Sequence, residues 1–123
     1  MSASTRNIIA WILQILLALA FIASGGNKLV HLADTVKGFG SMGFPGWFAY
    51  LIAGAEVLGG IGLLVPRFTR LAAMGLIIIM IGAAYTHATK IPGGLLPKGL
   101  PALGLLVLLV VVLLLRRPSP ARG

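Results

Sequence analysis

Hydrophobic positions in this chain gather into four long, continuous blocks divided by short stretches rich in glycine, proline and charge. The first starts at Ile8, is interrupted through Ala23 only by Gln14, and continues as a weakly polar end to about Val30. The others cover 47–65, 71–88 and 99–115. A bilayer-spanning helix needs about 20 residues, within a range near 17–25, so each block predicts a spanning helix. None alternates with the period of two expected of a strand, and four strands cannot close a membrane barrel. The pattern therefore predicts an all-α, integral membrane four-helix bundle forming one transmembrane domain over 1–123, with a short basic tail at 116–123.

The connections refine this picture. "HLADTVKGFGSMGFPGW" is too polar and glycine-rich to span. It is expected to start as an interfacial helical extension, break near Gly38–Gly43, and hand over to the second span at Pro45 and Trp47. "IPGGLLPKGLP" reads as a turn-rich entry to the fourth span. Arg6 and the small residues of "LALAFIASGG" also fit a secretory signal peptide. Cleavage there would leave three spans and no soluble domain to export, which favours a retained helix.

Composition agrees with the periodicity. Apolar residues make up 59% and charged residues 10% of the chain, against about 25% charged in soluble domains. The chain has no cysteine, which excludes disulfides, thiol redox chemistry and cysteine-held iron–sulfur centres within it. Its net charge of +8 does not point to nucleic acid, because the basic residues flank apolar blocks instead of forming a soluble basic face. Arg6, Arg67, Arg70, Arg116, Arg117 and Arg122 fall on one side of the predicted bundle, and Lys28, Lys37, Lys90 and Lys98 on the other. Under the positive-inside rule this predicts a multi-pass cell-membrane protein with both termini in the cytoplasm.

Against this apolar background the few polar residues inside the spans become informative. Glu56 lies nine residues beyond Trp47, about 14 Å deep at the helical rise and near the middle of a ~30 Å hydrocarbon layer. Its helical face carries Ala49, Ile52, Ala53, Gly59, Gly60 and Leu63, a small-residue surface suited to close helix packing. On span one Gln14, Ala18, Phe21, Gly25 and Lys28 share a face. Span three brings Tyr85 and His87 toward the same outer half. The candidate site is thus a buried polar cluster of Lys28, Glu56, Tyr85 and His87, with Gln14 as a further polar residue on the first helix face. Two roles stay open for Lys28: snorkelling to the headgroups or pairing with Glu56. His31 and His87 fit interfacial or hydrogen-bonded structural roles better than ligand roles. No metal site is predicted, since two histidines and one glutamate are too few and too scattered for zinc. No phosphate loop, dinucleotide fingerprint or serine–histidine–aspartate set occurs.

Taken in order, "FIASGGNKL" at the end of span one and "GFPGWFAYLIAGAEVLGGIGLLVPRFTRLAA" through span two resemble the DoxX family, in its short DoxX-like branch. The resemblance covers nearly all of Ile8 to Leu115. It implies a four-helix integral membrane protein, with Lys28, Pro45, Glu56 and Arg70 on the family's motif positions. The family takes its name from a membrane subunit linked to thiosulfate:quinone oxidoreduction. Other members are associated with membrane redox complexes, and distant animal relatives with receptor assembly. The name does not by itself transfer a reaction; with no redox-active cysteine or cofactor motif in the chain, the expectation is a noncatalytic or accessory subunit that supports quinone-linked redox chemistry of a partner. It is not expected to be an enzyme on its own or to hold a covalent cofactor; quinone is the candidate ligand. Its expected partners are the lipid bilayer, a membrane or peripheral redox protein, and a second copy of itself. Two alternatives compete: a small proton-coupled transporter using Glu56, and a membrane scaffold or assembly protein. Small multidrug transporters carry their buried carboxylate in the first helix, where this chain has none.

Overall fold

The computed structural model describes residues 2–90 and 100–116, apart from the side chains of His87 and Lys90. The turn-rich stretch 91–99 and the tail 117–123 lie outside the described residues. The described chain is all helical: α1 (Ala3–Val30), α2 (Leu32–Ser41), α3 (Gly46–Leu64), α4 (Thr69–Lys90) and α5 (Leu100–Leu115). There are five helices where four were expected, because the first connection forms one of its own.

Local chemistry sets the boundaries. The Ser2 side chain caps α1 by accepting from the Thr5 backbone N–H at 3.0 Å. At the other end of α1, the His31 N–H closes on the Asn27 carbonyl and the chain restarts as α2. The Thr35 hydroxyl lies within bonding range of the Lys28 and His31 carbonyls, tying that corner together. α2 stops where Gly43 takes a φ of 90°, a left-handed conformation that glycine adopts without the cost of a Cβ. Phe39, Phe44 and Phe48 pack together at this turn, with Trp47 edge-on to Phe48. Among them Trp47 is of the residue type that favours the membrane–water boundary. Pro45 then precedes α3 in extended conformation.

α1 and α3 run antiparallel in close contact. A Cβ on Gly25 would stand 2.6 Å from the Ala53 carbonyl oxygen, and one on Gly60 would stand 3.0 Å from that of Ala18. Small residues thus let two backbones approach, the usual device of helix packing where lipid surrounds the protein. α4 and α5 complete a core of Leu17, Phe21, Leu63, Leu76, Leu109 and Val112. Outside this core the surface is apolar too: Leu19, Leu58, Ile78 and Leu114 are all exposed. Such a surface suits a hydrocarbon solvent. α1, α3 and α4 are long and apolar enough to cross a membrane, and α5 is a shorter apolar helix. The protein is a multi-pass membrane protein with an all-α fold.

Candidate functional site

Lys28 and Glu56 meet across the α1–α3 contact. Lys28 Nζ lies 2.7 Å from Glu56 Oε1 and donates to Ser24 Oγ at 2.8 Å. The Glu56 side chain is 3% exposed and that of Lys28 28%. Helical side chains lean toward the helix N-terminus, so the lysine stem runs back along α1 past Ser24, deeper into the bundle. Gly25 brings α3 close enough for the ammonium to reach the carboxylate. Pairing and local hydrogen bonding offset the desolvation that a lone carboxylate would suffer at this depth. Lys28 pairs inward; it does not snorkel outward.

The other candidates do not join this pair as expected. Tyr85 is exposed, which corrects its assignment to a buried cluster. The buried face of α4 runs Thr69, Ala73, Leu76, Met80, and five further residues at about 100° each turn Tyr85 well away from it. His87 lies on α4, and its side chain falls outside the described residues. Gln14 shares the α1 face with Lys28 but lies fourteen residues away, about 21 Å along the helix. It serves a second polar centre at the opposite end of the bundle.

That second centre is built from residues far apart in sequence. The Gln14 amide donates to the Leu63 carbonyl at 2.7 Å and accepts from Arg116 Nε at 2.7 Å. Thr69 donates to the carbonyl of Val65, at the turn between α3 and α4, and approaches Gln14 Nε2 at 3.3 Å. Arg116 also reaches Asn7 Oδ1 at 2.8 Å and lies over the Trp11 ring, while Arg70 donates to the Leu113 carbonyl. Burial lowers the Arg116 guanidinium from its ordinary value, without removing its charge at neutral pH. These groups and Arg67 surround a cavity of about 280 Å³. Sequence reasoning missed this centre because it read the arginines as markers of topology, and Arg70 besides only as a family motif position. The available clue was Gln14, the sole polar residue within an apolar block. Among the described residues no group of three histidine, aspartate or glutamate side chains is placed to hold a metal.

The chain belongs to the DoxX-like family, whose model matches residues 12–114. It is also similar to a protein of Bacillus subtilis (strain 168) named "Putative oxidoreductase CatD", at 31% identity over 81 residues. That alignment covers 66% of this chain and 60% of the relative, so the chain spans less than two thirds of the relative's length. No solved structure matches.

Proposed function

We propose that this protein is an accessory membrane subunit supporting quinone-linked oxidoreduction by a partner, with Lys28 and Glu56 handling protons. The observation that carries this reading is a carboxylate held 3% exposed inside an apolar bundle by a lysine near a helix end. Ionisable groups inside membranes mark proton and substrate routes more often than they serve packing. Reduction of a quinone to a quinol takes two electrons and two protons. In this reading the partner supplies the electrons, and the Lys28–Glu56 pair relays protons. His87 is the candidate hydrogen-bond donor to a quinone oxygen, and Tyr85 the residue that meets quinone or partner at the bundle surface. Family membership and the oxidoreductase name of the relative support the redox setting.

In this reading α1, α3, α4 and α5 are the four spans of a single transmembrane domain, and α2 lies at the outer boundary. Both termini are cytoplasmic, following the six arginines against four lysines. Because the natural chain lacks cysteine, single cysteines at Ser2 and Ser119 give clean reporters. Both should resist an impermeant thiol reagent in intact cells; labelling of both from outside would reverse the topology.

The functional test uses purified protein in liposomes. It should bind a short-chain quinone, and Glu56→Gln should weaken binding about tenfold, the equivalent of ~1.4 kcal/mol. An imposed proton gradient should persist when cationic substrates are added. Substrate-driven proton flux without quinone binding would replace this reading with the transporter.

A further inference from the structure

The cavity at the Gln14 end has an unusual charge balance. Three arginines, Arg67, Arg70 and Arg116, line it, and no aspartate or glutamate is among the lining residues to balance them. The whole chain has two acidic residues. Glu56 is committed to Lys28, and Asp34 lies on α2, beyond the far end of α1. Like charges gathered at a partly buried site repel one another, and the repulsion grows as the local dielectric falls. An anion bound among them would relieve it.

The site is also preorganised. Gln14, fully buried, fixes Arg116 through its amide oxygen while its nitrogen is held by Leu63. Arg70 is anchored on α5 through the Leu113 carbonyl. Arg67 sits on the turn between α3 and α4, exposed, with its guanidinium over the Phe68 ring. Two arginines are therefore braced and one stands at the rim. Planar guanidiniums match tetrahedral oxyanions through paired N–H donors.

We propose that this cavity binds a phosphate group, and that the group is presented by the headgroup of an anionic phospholipid. A volume of about 280 Å³, just under the ~300–1,000 Å³ of small-molecule sites, suits a headgroup. Exposed Ile8 and Ile12 on α1 and Leu114 on α5 supply apolar surface for acyl chains. Free phosphate would gain nothing from that surface. Basic pockets between membrane helices are suited to such headgroups.

Trp11 lines the cavity, and the only other tryptophan is Trp47. Full-length protein carrying Trp47→Phe, delipidated in maltoside micelles, therefore reports on the site by fluorescence. Dioctanoyl phosphatidylglycerol should change Trp11 emission saturably, and dioctanoylglycerol, which lacks phosphate, should not. Inorganic phosphate should compete at least tenfold more weakly than the lipid; equal affinity would assign the site to free phosphate. Arg67→Gln should weaken lipid binding at least fivefold, and Arg67→Lys should restore most of it. Should Arg67→Gln fail to fold by circular dichroism, the parent protein still decides: raising sodium chloride from 50 to 500 mM should lower its affinity several-fold. An equal response to dioctanoylglycerol, no saturable response to either phosphate source, or indifference to both Arg67→Gln and salt would overturn the proposal.

Discussion

Lys28→Met is expected to destabilise the protein more than Glu56→Gln, although both changes break the same ion pair. The reason is the unequal burial of the partners, 28% exposed for the lysine side chain against 3% for the glutamate. Removing the lysine strands a carboxylate inside the bundle, and breaking a buried pair in this way costs about 3–5 kcal/mol. Removing the carboxylate's charge leaves a lysine that still donates to Ser24 and can turn toward the boundary. Its cost should be near the ~1–3 kcal/mol of a lost hydrogen bond to a buried group. The double variant Lys28→Met/Glu56→Leu should recover much of the loss, since an apolar pair of similar volume removes both desolvation terms. SDS-titration unfolding in micelles of the parent protein, Lys28→Met, Glu56→Leu and their double variant supplies the cycle, with Glu56→Gln measured beside it. Additive losses, with a coupling below about 0.5 kcal/mol, would mean that the pair has no energetic reality. A stable double variant would also separate packing from function, because it should fold and yet be unable to relay a proton.

The pair shows where a sequence stops being readable. Glu56 stands out as an acid in the middle of an apolar block, and its small-residue face marks it as inward-facing. Whether Lys28 meets it depends on how far two helices slide past each other, which one-dimensional spacing does not contain. Counting the helical rise leaves Lys28 too shallow. Closing the gap takes the Gly25 approach and a lysine stem that leans back along α1. Tyr85 illustrates a different failure. Proximity along α4 suggested membership of the cluster, but the helix turns it away from the buried face.

α2 falls where a helical extension of span one was expected, but as a helix of its own. Its ten residues include Gly38 and Gly40 and form no apolar block, so the pattern gives only an extension; the restart at His31 and the turn at Gly43 make it a separate helix. The Gln14–Arg116 bond joins positions 102 apart. Long-range polar contacts of this kind leave no local pattern, and arginines between spans look the same whether they mark topology or build a site. The helices are legible because apolar runs report on solvent. The sites are not, because they depend on register.

Register between α1 and α3 rests on Gly25, so Gly25→Ala is expected to be strongly destabilising while Gly26→Ala is neutral or stabilising. A Cβ at Gly25 would stand 2.6 Å from the Ala53 carbonyl oxygen, 2.8 Å from Val57 Cγ2 and 3.0 Å from the Val57 nitrogen. Two of these atoms belong to a helical backbone and cannot move aside alone, so the helices must part. Overpacking of this kind costs about 1–3 kcal/mol, which outweighs the ~1 kcal/mol that alanine gains over glycine in a helix interior. At Gly26 the same methyl meets nothing within 4 Å, and only the propensity gain remains. Adjacent residues in one helix should therefore respond with opposite signs. Parting the helices also lengthens the reach from Lys28 to Glu56, so Gly25→Ala combined with Lys28→Met should cost less than the sum of the two. Unfolding of the single and double variants in micelles decides the matter. A Gly25→Ala protein as stable as its Gly26→Ala neighbour would show that the α1–α3 contact does not hold the register, and the geometry of the ion pair would have to come from elsewhere.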